Sequence, residues 1–195
     1  MYKRQVLSYV DVLKNEAKVG KSVALIGAGG IGFDVAEFLT HQGEHATVSE
    51  QEFLDEWGID KSYQGRGGLK PDHDLEPVRY ITLCQRKPGK LGANLGKTTG
   101  WIHRMQMKKR GVEMLAECSY EKIDDQGLHI KVSGVDRLLE VDHVVVCAGQ
   151  VPNRTLFDSL KESHKSVHLI GGADVAAELD AKRAISQGTE LALKI

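Results

Sequence analysis

Ser22-Val-Ala-Leu-Ile-Gly27-Ala-Gly29-Gly30-Ile-Gly32-Phe-Asp34 is the stretch that decides the fold. Ser22 to Ile26 is a compact apolar strand segment, and a Gly-x-Gly-x-x-Gly turn follows at once. Ile31 to Thr40 then reads as a helix, with Ile31, Val35, Phe38 and Leu39 on one face. The glycine pattern alone is weak. A strand directly before it and a helix directly after give it meaning. Gly27 permits the tight turn, and Gly29 lets the backbone approach a pyrophosphate with no Cβ in the way. Gly30 belongs to the same cradle, and Gly32 lets the helix pack closely on the strand. A pyrophosphate placed there meets unsatisfied N–H groups and the positive end of the helix dipole. A merely structural strand–turn–helix is the competing reading, and the flanking pattern disfavours it.

Outward from this unit, Val6 to Lys14 reads as a short helix closed off by Gly20. Gly43 is a stop for the helix that follows the glycine turn. Residues 44–77 are polar and Gly-rich, with Pro71 and Pro77 near their end, an insert long enough to carry local structure or a function. Val78 to Cys84 is the next strand by its β-branched content. Thr98 or Thr99 is placed to N-cap a helix reaching about Arg110, with Gly111 as its C-cap. Val112 to Leu115 is a short strand. A meander follows through Tyr120–Ile123, Leu128–Val132 and Arg137–Val141, with turn residues at Asp124–Gly127 and Ser133–Asp136. Val144 to Cys147 is a buried strand, and Val167 to Ile170 a last one. A final helix runs from about Ala176 or Asp180 to Leu193.

Bulk properties exclude several classes. The chain has 195 residues and a net charge of −1, so no global field draws it to nucleic acid or an anionic membrane. No apolar run reaches the roughly 20 residues that span a bilayer, and no signal peptide is evident. Cys84, Cys118 and Cys147 are widely spaced, which argues against a CxxC pair and a disulfide framework. The eight His show no metal-ligand spacing, so no metal site is expected and the cysteines read as small buried hydrophobes.

Two placements compete for the second strand of the nucleotide fold. In one, His45 to Glu50 is that strand and Glu50 bonds a ribose 2′-hydroxyl, the mark of NAD. In the other, residues 44–77 are an insert and Val78 to Cys84 is the strand. Gln85-Arg86-Lys87 then stands at its end, with two cations that suit a 2′-phosphate. The second is favoured, because its strand is longer and more apolar; solvated surface charge is the plain alternative for Arg86 and Lys87. Gly96-Lys97-Thr98 imitates a phosphate-binding P-loop, but that pattern needs Gly where Leu91 stands. Lys97, Thr98 and Thr99 either face the dinucleotide phosphates or form an ordinary helix start.

The chain lacks a small-substrate catalytic set. No Tyr is followed four residues on by Lys, and no Gly-x-Ser-x-Gly elbow occurs. No catalytic residue is therefore assigned. A nucleotide module without a general acid points to hydride transfer to another cofactor.

Several segments resemble the C-terminal region of bacterial NADPH-dependent 2,4-dienoyl-CoA reductases. They are Val6–Leu13, Val23–Asp34, Glu56-Trp-Gly-Ile-Asp60, Leu95-Gly-Lys-Thr-Thr-Gly-Trp-Ile-His103, Val146–Asn153, and His168–Asp174 through Gln187-Gly188. The resemblance runs nearly end to end. It implies an enzyme with an N-terminal FMN-bearing barrel and a 4Fe-4S cluster, followed by FAD and NADPH domains. Electrons then pass from NADPH to FAD, through the cluster to FMN, and to a dienoyl-CoA in the oxidation of unsaturated fatty acids. By the same resemblance, Cys147 to Asn153, with Gly149, crosses back toward FAD, and Asp174 approaches the flavin's ribityl-phosphate region. Read from residues alone, Asp174 is equally a helix cap.

The expected fold is α/β: a Rossmann-like three-layer nucleotide-binding domain with a β-meander and a partial FAD-domain tail. The expected boundaries are a linker from the FAD domain over 1–18, an NADP(H) domain over 19–151, and part of the FAD domain over 152–195. NADP(H) is the expected cofactor, with an incomplete FAD site. The expected partner is the rest of one polypeptide, carrying the FMN barrel, the cluster and the first FAD segment; no nucleic acid or membrane is expected, and the location is cytoplasmic. The isolated chain is expected to be an inactive fragment of the reductase. A non-catalytic dinucleotide sensor and a stand-alone NAD dehydrogenase using Glu50 stay open as alternatives.

Overall fold

The computed structural model describes residues 5–41, 48–71, 77–163, 166–177 and 181–195. The chain divides into two compact units, Met1–Ala148 and Gly149–Ile195.

The first unit is built on a five-stranded parallel sheet. Its strands are β1 (Val6–Ser8), β2 (Ser22–Ile26), β3 (Tyr80–Cys84), β4 (Glu113–Leu115) and β8 (His143–Val146), in the order β1-β8-β2-β3-β4. The helices α1 (Tyr9–Leu13), α2 (Gly30–Thr40) and α4 (Gly100–Lys109) connect successive parallel strands. Strand alternation sends Val23 and Leu25 into one core with Val12, Phe33, Val35, Leu39 and Met107 of these helices. Ala24, Cys84 and Val144 point the other way. They meet Cys118, Leu128, Ile130 and Leu139 of an antiparallel meander formed by β5 (Cys118–Asp124), β6 (Gly127–Val132) and β7 (Val135–Leu139). Helices, parallel sheet and meander form the expected Rossmann-like three-layer domain.

Val6–Ser8 is a correction to the expected helix over 6–14. Val6 pairs with Val144 and Ser8 with Val146 in a parallel ladder, so the segment belongs to this unit's sheet rather than to a linker. The helix starts only at Tyr9. Ser8 Oγ accepts the Asp11 N–H at 3.1 Å while Asp11 Oδ2 accepts the Ser8 N–H at 2.9 Å, a capping box.

The insert has structure of its own. Helix α3 (Glu50–Trp57) leads into a bridged loop in which Ile59 faces Leu69, and Gly58 closes the helix in the left-handed conformation. Arg110 donates to Glu56 at 2.7 Å, and Gln106 donates to both Glu56 and Glu37. Lys109 Nζ lies 5.5 Å from the Trp57 ring. The C-terminal turn of α4 thus holds α3.

In the second unit, α5 (Thr155–Leu160), a 3-10 turn at Gly171–Ala173 and α6 (Ala181–Ala192) are tied by side-chain bonds. Gln187 accepts the Gly171 N–H at 2.6 Å and donates to Asp174 Oδ2 at 3.1 Å. The strand expected at Val167–Ile170 is not formed. The segment is apolar but finds no ladder partner among the described residues, and strand pairing needs one. The expected start of the last helix at Asp180 falls outside the described residues, as do Gly43, His45, Ala46 and Thr47. No described helix is long and apolar enough to cross a membrane.

Candidate dinucleotide site

The turn after β2 carries the site. Gly27 has φ +113°, a conformation strained for any L side chain, and its N–H donates to the Cys84 carbonyl at 2.9 Å. The turn is thereby fastened to the end of β3. At Gly32 a Cβ would sit 1.9 Å from the Gly27 carbonyl oxygen, so only glycine lets α2 close on the strand here. Gly29 and Gly30 are different: a Cβ at either would meet nothing within 4 Å. The space beside them is open. Gly29 occupies the N-cap position of α2 with no side chain to cap it, and the first turn holds no acidic residue. Among the described residues, no side chain caps the first N–H groups of this 11-residue helix. Tight packing at Gly32 and openness at Gly29 and Gly30 together fit a pyrophosphate.

Tyr80–Cys84 lies beside β2 in parallel register, Val23 opposite Ile81 and Ile26 opposite Cys84. The strand expected at the end of the insert is thus the neighbour of the glycine strand. The competing placement fails. Glu50 is the first residue of α3 and ion-pairs with Lys61, rather than ending a strand next to β2. After β3 the chain turns tightly. The Gln85 side chain donates to the carbonyls of Lys87 at 3.0 Å and Gly89 at 3.2 Å, and the Glu117 N–H donates to Lys87 O. This turn leaves Arg86 and Lys87 exposed at the carboxyl edge of the sheet, and neither makes an ion pair among the described residues. No carboxylate stands beside them in the Gln85-Arg86-Lys87 run.

The loop continues over the start of α2, with Leu91 buried and Gly92 against the Phe33 ring. Lys97, Thr98 and Thr99 are exposed just ahead of α4. Thr99 is the N-cap residue, but its side chain makes no capping bond; the Gly96 carbonyl instead accepts the N–H groups of Thr99 and Gly100. Gly27, Gly29, Gly30 and Gly32 are therefore brought to one sheet edge with Arg86 and Lys87, and Lys97 to Thr99 open α4 on that same edge.

Gly149 and Asp174 lie in the second unit. Gly149 has φ +82°. The Asp174 carboxylate accepts from Gln187, and its carbonyl accepts from Arg154 at 2.6 Å. The sequence reading missed α5, although Asn153 carries its signal: Asn153 Oδ1 accepts the Thr155 N–H at 3.2 Å.

The thiols are chemically quiet. Cys84, Cys118 and Cys147 are free and buried. Burial pushes Cys147 up to about 12 and raises Cys84 and Cys118 as well. No group of His, Cys, Asp and Glu able to hold a metal ion occurs among the described residues.

The chain is 22% identical over 169 residues to a metal reductase of Desulforamulus reducens, covering 87% of this chain and 24% of that protein. It is 23% identical over 170 residues to a cinnamate reductase of Clostridium sporogenes, covering 87% and 21%. A solved 2-naphthoyl-CoA reductase in complex with 2-naphthoyl-CoA superposes with a TM-score of 0.65 at 21% identity, over 97% of this chain and 23% of that one. The chain thus spans about a quarter of the length of these relatives. Residues 3–180 match the family described as pyridine nucleotide-disulphide oxidoreductase, and the chain belongs to that family.

Proposed function

We propose that this chain is the NADPH-binding part of a 2,4-dienoyl-CoA reductase, with residues from about Pro152 contributing to its FAD domain. The observation that carries the nucleotide reading is the uncapped α2 amino terminus beside Arg86 and Lys87, with no carboxylate in that run. The α2 N–H groups bind the pyrophosphate, and Gly29 and Gly30 leave room for it. Arg86, with its planar fork, and Lys87 bind the 2′-phosphate. When bound, NADPH supplies a hydride to the flavin of the family's FAD half. The dienoyl-CoA part rests on the Trp-Gly-Ile-Asp60 and Gly-Lys-Thr-Thr-Gly-Trp-Ile-His103 runs. It is supported by relatives named for an aryl-CoA thioester and a conjugated unsaturated acid. The FMN barrel, the cluster and the first FAD segment are proposed to belong to the same polypeptide. A coding region upstream of Met1 for a barrel followed by clustered Cys supports this; an independent start codon at Met1 favours a sensor.

The nucleotide claim is tested by calorimetric titration of the 195-residue chain with NADPH and NADH. NADPH binds more tightly. Arg86→Ala weakens NADPH binding about ten-fold, the weight of one hydrogen bond to a charged group, and leaves NADH binding unchanged. Equal affinity for the two nucleotides, unaffected by replacing both Arg86 and Lys87, refutes the assignment.

A further inference from the structure

Beside the Arg86–Lys87 turn is a cleft of about 500 Å³ to which the pyrophosphate site gives no occupant. Gly89, Lys90 and Leu91, from the loop after β3, form one wall. Trp101, Met105 and Lys108 form the other, at i, i+4 and i+7 on a single face of α4. Arg104 of α4, Met114 of β4 and Ala116 just beyond it complete the lining. Trp101 is 55% exposed and Met105 43%, so large apolar side chains stand open to solvent at the cleft. The charged residues that line it are all positive. Lys90, Arg104 and Lys108 line it, no carboxylate does, and Arg104 is partly engaged by the Gly92 carbonyl at 3.0 Å.

We propose that this cleft receives the adenosine 2′-phosphate end of NADP(H), with the Trp101 indole against the adenine and Lys90 joining Arg86 and Lys87 around the 2′-phosphate. The inference rests on the nucleotide reading above and deepens it. Continuity is one argument. Lys90 is on the same loop as Lys87, and the Gln85 side chain folds that loop by holding the carbonyls of Lys87 and Gly89. Topology is another. The strands are parallel, so the carboxyl ends of β2, β3 and β4 share one edge, and two ladder spacings, about 10 Å, lead from the glycine turn to β4. A dinucleotide anchored at α2 and passing Arg86 arrives at the cleft. Chemistry is the third: a flat apolar ring carrying a phosphate matches an apolar floor with an exposed indole and a cationic border.

The chain has two tryptophans, so Trp57→Phe leaves Trp101 as the sole indole emitter. Adenosine 2′,5′-bisphosphate should quench that emission saturably, and nicotinamide mononucleotide should not. By calorimetry on the otherwise unaltered chain, Trp101→Leu should weaken NADPH about ten-fold, the usual scale of base–aromatic stacking, and Trp101→Phe should recover most of the loss. Lys90→Ala should narrow the difference between NADPH and NADH while leaving NADH unchanged. Tight NADPH binding with unaltered Trp101 emission and full affinity in Trp101→Leu overturns the cleft assignment and leaves the nucleotide reading standing. Absence of any NADPH binding overturns both.

Discussion

Cys147 directly follows β8, the buried strand that lies between β1 and β2, and Cys84 ends β3 with its side chain toward the meander. Desolvation is the largest influence on both thiols; it acts alone on Cys147, and at Cys84 the opposing charge of Arg137 does not outweigh it. The consequence for stability has a definite sign. The folded chain holds these protons more tightly than the unfolded chain. Their contribution is complete below the ordinary thiol value of 9.0 and, for Cys147, is lost as pH rises toward about 12. Each pH unit across that interval removes about 1.4 kcal/mol per buried thiol. Urea unfolding from pH 8 upward should therefore show stability falling from about pH 9. Cys147→Ala should start less stable but fall less steeply. An unchanged slope in that variant would remove Cys147 from the account. The same burial predicts that alkylating reagents reach Cys147 only after unfolding.

Helix α3 shows at the scale of an element how the insert is held. Its residues include none that are buried, so packing contributes little, and polar contacts to α4 carry the attachment. Burial alone raises the Glu56 carboxyl, but hydrogen bonds from Arg110 and Gln106 outweigh it and hold the group below its ordinary 4.5. A carboxylate lowered in the folded state stabilises above 4.5 and loses that contribution as pH falls through the folded value. Acid should therefore release α3 before the sheet opens. Arg110→Ala should do so at neutral pH, at a cost of about 2 kcal/mol, since Arg110 and Glu56 are both mostly shielded from solvent. Hydrogen exchange at the amides of Glu50–Trp57 is the readout; full protection of those amides in Arg110→Ala would show that other contacts hold the helix. Attachments of this kind explain which elements are legible in sequence. The β2–turn–α2 unit and the meander are local patterns and both form, although the third meander strand begins at Val135, inside the expected turn, and ends at Leu139 rather than Val141. Val6–Ser8 is a strand only because Val144–Val146 lies beside it, a partner remote in sequence. Val167–Ile170 has the composition of a strand and no such partner among the described residues, so its pattern misleads. Arg86 and Lys87 are readable as candidates from their place after a strand. The cleft at Trp101 is not, because it needs β4 and α4 together.

The whole molecule divides its capacities unequally. Met1–Ala148 encloses two apolar cores around a complete parallel sheet. Gly149–Ile195 is thin by comparison: α5 and α6 contain no buried residue, and Val151, Leu156, Ile185 and Leu193 are exposed. Asp174, the residue that the family resemblance directs toward a flavin, is held by Gln187 and Arg154 within this smaller unit. A flavin dinucleotide needs its own pyrophosphate cradle, and the sequence has a single Gly-x-Gly-x-x-Gly turn, at Gly27. That turn adjoins two exposed cations suited to NADPH. The expected outcome is that the 195-residue chain, purified in the presence of excess FAD, is colourless, binds NADPH, and oxidises no NADPH when 2,4-dienoyl-CoA is added. Helix α6 should also exchange its amides well before β2 and β8 do, because few apolar contacts oppose its opening. A bright yellow protein with one FAD per chain would mean that Gly149–Ile195 builds a flavin site by a route other than a glycine turn. The division of labour proposed for Gly27 and Asp174 would then be wrong.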